Sequence, residues 1–202
     1  MNTPETAISR YLDLLQDLIR SIDPSDIAHV AETLQEVCRN GGTVWVCGNG
    51  GSASTASHMA CDLSKNTTDT DSQRLRVVSL TDNVAHFSAI ANDLDYDHVF
   101  SEQLRNVMKS GDALVAISAS GNSPNVVEAA RYARSLETPV ISLTGFSGGD
   151  LRGLATNQLH VDCSEYGQVE DLHLIFNHLL VVVLRTLLEP LQDSSPAKNT
   201  TE

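Results

Sequence analysis

The chain has 202 residues, 41% of them hydrophobic and 19% charged, with a formal net charge of -13. Such a length and composition predict one soluble globular domain with a substantial core. The acidity argues against nucleic-acid binding, where basic side chains supply most of the affinity, and obliges any phosphate site to use backbone amides and hydroxyls.

Residues 6–22 place Ile8, Tyr11, Leu12, Leu15, Leu18, Ile19 and Ile22 at helical spacing. Asp23-Pro24-Ser25 breaks that helix and caps a second, carrying Ile27, Val30, Leu34 and Val37, which ends near Asn40-Gly41-Gly42. From Thr43 the pattern alternates, with strands expected at 43–47, 75–80, 112–118, 138–143 and 157–161. Helices are expected at 52–65, 84–91, 97–109, 124–136 and 149–155, then a long one over 167–189 stopped by Pro190. Polar Asn66 to Gln73 reads as a surface loop, and 192–202 as a disordered tail. The alternation implies a three-layer α-β-α sandwich over residues 1–191: a five-stranded parallel doubly wound sheet with two leading helices and a long last helix. Ligands of such sheets bind beyond the carboxyl ends of the strands.

The N-terminus is polar and lacks a signal-peptide core, and the longest apolar run, Leu179 to Leu184, is far too short to span a bilayer. Cys38, Cys47, Cys61 and Cys163 are scattered with no CxxC pair. These features predict a cytoplasmic protein with reduced thiols and no membrane partner.

Two strand-to-helix handovers carry the chemistry. The first, Val44-Trp45-Val46-Cys47 into Gly48-Asn49-Gly50-Gly51-Ser52, offers glycines that let a bulky anion approach the backbone at the start of a helix. It lacks the Lys-Ser/Thr ending of a P-loop, and Ala53 stands where the dinucleotide fingerprint needs glycine, so no nucleotide cofactor is expected. The alternative is a tight turn without a ligand. The second, Leu114-Val115-Ala116-Ile117 into Ser118-Ala119-Ser120-Gly121-Asn122-Ser123-Pro124, brings three hydroxyls to one turn. Pro124 suits the first helical position, where a missing N–H costs nothing. Plain capping by Ser123 is the alternative, although three serines in six residues exceed what a cap requires.

Histidines and carboxylates recur at helical spacing. His58 and Asp62 lie four apart on one predicted helix, and Glu170 and His178 lie eight apart on the last. Each pair shares a face, and such nitrogens and oxygens suit zinc or another divalent metal; the alternative is satisfied polar residues beside a core. His29 and His160 read as surface residues, His173 as facing core or a subunit interface, and Trp45 as core.

The two turns together, with Leu143-Thr144-Gly145-Phe146-Ser147-Gly148-Gly149 and Ala91-Asn92-Asp93, resemble the SIS (sugar isomerase) domain family. The resemblance runs from about residue 5 to 189 and looks closest to the phosphoheptose isomerases. It implies an aldose–ketose isomerase of sedoheptulose 7-phosphate in nucleotide-activated heptose synthesis, acting through an enediol(ate). It also implies substrate contacts by Asn49, Gly50, Gly51, Ser52, Asn92 and Asp93, and a phosphate held by Ser118, Ser120, Ser123 and the Ala119 backbone. By the same resemblance Asp62 and His178 are the catalytic base and acid, and His58, Asp62, Glu170 and His178 form a zinc site, with Glu170 also near substrate. Glutamate, glutamine and aspartate are the family's residues where this chain has Asp62, Glu170 and Gly167. A homotetramer whose neighbouring subunits complete the active sites is implied as well. Two other readings stay open: a non-catalytic binding protein resembling the initiator-associating factor of bacterial replication, and an isomerase of another phosphosugar. The retained His178 and the acid at 62 favour catalysis.

Overall fold

Thr3 and Asp23 open the two leading helices of the computed structural model, which describes residues 3–67 and 74–188. Thr3 caps α1 (Pro4–Arg20) through reciprocal bonds with Thr6, and Asp23 caps α2 (Pro24–Arg39) by accepting the Ser25 N–H at 2.8 Å. There follow β1 (Thr43–Gly48), α3 (Gly51–Asn66), β2 (Arg76–Ser79), α4 (Val84–Asp93), a 3-10 turn (Tyr96–His98), α5 (Ser101–Val107) and β3 (Ala113–Ile117). The chain continues through α6 (Pro124–Ser135), β4 (Val140–Thr144), α7 (Gly149–Leu154), β5 (Asn157–His160) and α8 (Tyr166–Leu188). Every expected strand forms within a residue or two of its expected ends.

One expected helix divides. Over 97–109 the chain makes the 3-10 turn and then α5, because Asp95 captures the His98 N–H at 3.0 Å while Val99 and Phe100 turn fully into the core. Most of the expected 66–73 loop, and the whole expected tail, lie outside the described residues.

The sheet order is β2-β1-β3-β4-β5, with every neighbouring pair parallel. Side chains of a strand alternate between faces, and each face is apolar. Val44, Val46, Val115, Ile117, Ile141 and Leu143 pack toward α2, α3 and α8, while Cys47, Leu114, Ala116 and Val140 pack toward α5, α6 and α7. Trp45, expected in the core, is half-buried, and its indole N–H donates to Asp112 Oδ2 at 2.9 Å. Asp112 also accepts the N–H groups of Thr43 and Lys109, so a fully buried carboxylate ties the starts of β1 and β3 together.

Helix α8 has the length and composition of a membrane span, alone among the described helices. Here its apolar face (Leu172, Phe176, Leu180 and Leu184) is buried with residues of α2 and α3. His173 faces the core, as expected. It is completely buried beside Phe176, and neither ring nitrogen has a hydrogen-bond partner.

Burial pushes the His173 imidazole down to about 4 from 6.5, and the nearby Thr144 backbone, outside hydrogen-bond geometry, opposes this only in part. The unfolded chain therefore takes up this proton near pH 6.5, whereas the folded chain does so only near 4. His173 costs no stability above the first value, and stability falls as pH drops from the first to the second. Between pH 7 and 4.5 the loss is on the order of 2 to 3 kcal/mol from this group alone. Urea unfolding at the two pH values should give a steeper dependence for the wild type than for His173→Leu. Equal slopes would mean that His173 is not buried neutral.

Candidate active site

Strand order reverses at β1, with β2 on one side and β3 on the other. Gly48 at the end of β1 is in register with Ile117 at the end of β3. The turns that follow these residues therefore emerge side by side at the switch point, where parallel sheets bind ligands.

In the first turn Gly50 takes φ +55° and stands at the N-cap of α3 without any side-chain cap. The Ala53 and Ser54 N–H groups bond the Gly50 carbonyl, and those of Gly51 and Ser52 at the start of α3 point to a ligand or solvent. Ser52 is buried, and Gly51 is covered by Glu170: an added Cβ would lie 2.6 Å from both carboxylate oxygens. Asn49 pairs reciprocally with Asn125 of α6, Nδ2 donating at 2.8 Å and Oδ1 accepting at 3.0 Å, so the two turns are tied together.

The second turn does not use its hydroxyls for capping. Ser123 is the N-cap residue of α6 yet makes no side-chain cap bond; its Oγ instead accepts from Ser118 Oγ at 3.1 Å. Ser120 Oγ accepts the Asn122 N–H at 3.2 Å, and the Ala119 carbonyl accepts the Gly145 N–H at 2.8 Å. Gly121, at φ +70°, lets the turn approach the Gly148 carbonyl. Asn92 and Asp93 lie exposed at the end of α4, Asn92 Nδ2 donating to Asp93 Oδ1 at 2.8 Å; their described hydrogen bonds join neither turn.

A separate cluster forms between α3 and α8. Asp62 Oδ2 lies 3.2 Å from His58 Nε2 and 3.6 Å from His178 Nε2, with the two imidazole rings edge-on at 5.3 Å. Asn177 Nδ2 donates to Asp62 Oδ2 at 2.9 Å and Asn66 Nδ2 to Oδ1 at 3.2 Å, which fixes the shorter carboxylate arm. Arg185 Nε donates to the Asn66 carbonyl, holding that end of α3 against α8.

The ligand atoms of His58, Asp62 and His178 all lie within 4.8 Å of one another. Tetrahedral zinc with bonds near 2.0–2.1 Å sets its donors about 3.3 Å apart, close to the two His–Asp separations of 3.2 and 3.6 Å. Glu170, expected as the fourth ligand, is not in this cluster. Eight residues of helix raise it about 12 Å from His178, and its carboxylate lies against Gly51. By the same rise, a single chain sets His58 about 10 Å, and Asp62 about 16 Å, along α3 from its first turn.

At Gly167, Tyr11 of α1 fills the space a side chain would need: an added Cβ would lie 2.9 Å from its hydroxyl. Tyr11 Oη donates to Asp171 Oδ2 at 2.5 Å, a bond that pushes the phenol up to about 12. His160 is half-buried, with Nδ1 3.0 Å from Thr144 Oγ1, whereas His29 is exposed. Residues missed in the sequence are Asn125, Tyr96, Asn66 and Asn177. Asn177 had a readable signal, being an amide set among the apolar residues of α8.

This combination of switch-point turns and helix-borne imidazoles defines a domain of the SIS class, and the SIS domain model matches residues 10–145. Phosphoheptose isomerase of Colwellia psychrerythraea is 39% identical over 171 residues, covering 83% of this chain and 87% of that protein. The Mycobacterium bovis phosphoheptose isomerase is 41% identical over 142 residues, 70% of this chain and 72% of its own. Among solved structures, the phosphoheptose isomerase of Neisseria gonorrhoeae superposes with a TM-score of 0.84 at 30% identity, covering 91% of this chain and all (100%) of that one. The chain belongs to the phosphoheptose isomerase family of SIS-domain proteins.

Proposed function

We propose that this protein interconverts sedoheptulose 7-phosphate and an aldoheptose 7-phosphate, feeding nucleotide-activated heptose synthesis. The observation that carries the reading is Asp62 Oδ2 lying 3.6 Å from His178 Nε2, a carboxylate and an imidazole within reach of one substrate. Family membership supplies the phosphosugar.

The reaction moves one proton between adjacent carbons and one between their oxygens, with no net redox change. Asp62 takes the C1 proton of the ketose, and His178 protonates the carbonyl oxygen at C2. The enediol so formed closes to the aldehyde when its C1 hydroxyl proton leaves and C2 is protonated. Asn66 and Asn177 hold Asp62 in place. A divalent ion held by His58, Asp62 and His178 would polarise a carbonyl; these proton transfers use Asp62 and His178 with their reacting atoms free of such an ion. Ser118, Ser120 and Ser123, with free amides of the turns, hold the phosphate, and Asn49, Gly50 and Gly51 contact the sugar.

Because one chain separates its turns from its cluster, we further propose a cytoplasmic homotetramer in which the turns of one copy face the cluster of another. The exposed apolar residues Ile8, Leu12 and Ile19 on α1 provide a surface for it. The test combines assay and mixing. Wild type should turn over sedoheptulose 7-phosphate, while Ser118→Ala/Ser120→Ala and His178→Ala should each be nearly inactive. If sites are shared, dissociating and reassociating the two variants in equal amounts should restore about a quarter of the wild-type rate. No recovery would place each site within one chain, and no wild-type turnover would remove the assigned reaction.

A further inference from the structure

Asn49 has most of its hydrogen-bonding capacity committed before any ligand arrives. A side-chain amide offers two N–H donors and two acceptor lone pairs. Asn49 Oδ1 accepts from Tyr96 Oη at 3.0 Å and from Asn125 Nδ2 at 3.0 Å, while its Nδ2 donates to Asn125 Oδ1 at 2.8 Å. Both lone pairs are used, and one N–H is left.

The backbone fixes the orientation of the pair. Asn125 is 1% exposed, and its Oδ1 also accepts the Val126 N–H at 3.0 Å. Flipping Asn125 would set its NH₂ against that N–H. Flipping Asn49 alone would set two NH₂ groups against each other and two oxygens against each other. Tyr96 completes the arrangement from outside. Its ring meets Phe87 edge-on at 5.8 Å, and the two rings with Val84 wall a cavity of about 330 Å³ whose floor is Gly48, Asn49 and Gly50.

We propose that Tyr96 is a positioning residue of this site. Its hydroxyl, with Asn125, saturates Asn49 Oδ1, so that Asn49 meets a ligand in the cavity only as a donor, through its one uncommitted N–H. The ligand group so recognised is an acceptor oxygen, such as a sugar hydroxyl accepting through its lone pair or a carbonyl. This rests on the sugar-phosphate reading above only for what the ligand is; the geometry of the pair does not depend on it.

Tyr96→Phe keeps the ring on Phe87 and removes only the hydroxyl. In ¹⁵N-labelled, ligand-free protein, the side-chain amide signals of Asn49 should shift and exchange faster with solvent in this variant. Kinetically, Tyr96→Phe should lower kcat/KM for sedoheptulose 7-phosphate about ten-fold, the size of one mispositioned hydrogen bond. The same substitution made on Asn49→Ala should change kcat/KM by less than about two-fold, because a residue acting through Asn49 has nothing left to position. Unmoved Asn49 amide signals overturn the proposal, as does an undiminished ten-fold effect in the Asn49→Ala background. Should the wild type fail to turn over the sugar phosphate, the assigned reaction falls and the amide spectrum alone decides the positioning.

Discussion

Asp62→Asn should lower kcat for isomerisation by about 10³-fold while KM stays within a small factor of wild type. General acid–base groups contribute about 10² to 10⁴ in rate, and the substitution removes the basic oxygen while preserving size. Local structure should survive, because an amide oxygen in place of Oδ2 still accepts from Asn177, whose bond is 2.9 Å long. His58 and His178 stand 3.2 and 3.6 Å from that oxygen, and the amide oxygen that replaces it can still accept from either ring. Proton exchange gives a second measurement. Wild-type enzyme in deuterated water should wash deuterium into the carbon-bound position beside the carbonyl, and Asp62→Asn should not. If exchange persists in the variant while turnover is lost, another group is the base and Asp62 serves only to hold the two imidazoles. Asp62→Glu tests reach: a carboxylate one methylene longer has to displace Asn177 or crowd both rings.

The two turns were legible because each is written in consecutive residues: an apolar run, then glycine or serine, then helix. Their adjacency followed from the parallel alternation, since doubly wound sheets place strand carboxyl ends along one edge. His58 and Asp62 were legible for the same local reason, four residues being one helical turn. Glu170 shows where that reasoning stops. A shared helical face fixes direction but not height: eight residues separate Glu170 from His178 by about 12 Å along α8, and the Glu170 carboxylate leans instead against Gly51. The Asn49–Asn125 pair joins residues 76 apart and has no local signature. The same holds for Tyr96, which lies between the expected helices 84–91 and 97–109 and meets Asn49 from 47 residues away. Gly167 gained its meaning only from Tyr11, on a helix that sequence spacing could not dock.

Gly121→Ala should be the most damaging single methyl in the site, and it acts through backbone alone. Gly121 takes φ +70°, a region where a side chain is strained, and a Cβ there would overlap the Gly148 carbonyl. Neither partner can give way cheaply. The Gly121 N–H is bound to the Ser118 carbonyl at 3.0 Å, and its own carbonyl accepts the Leu151 N–H at 3.0 Å. Gly148 is equally held, at φ +82° with its N–H on the Gly145 carbonyl at 2.9 Å. Strain of this kind together with overpacking costs roughly 3 kcal/mol or more, about 6–12 °C in Tm for a domain of this length. Gly153→Ala is the matched control on the neighbouring helix α7, where a Cβ meets nothing within 4 Å. There the same methyl should leave Tm unchanged or raise it, since alanine favours a helix by up to about 1 kcal/mol. Whatever Gly121→Ala protein still folds should bind sedoheptulose 7-phosphate weakly, because Ser118, Ser120 and Ser123 flank the displaced backbone. Equal melting of the two variants would mean that the turn has slack against α7, and the close approach of Gly121 to Gly148 would then have no part in shaping the phosphate cradle.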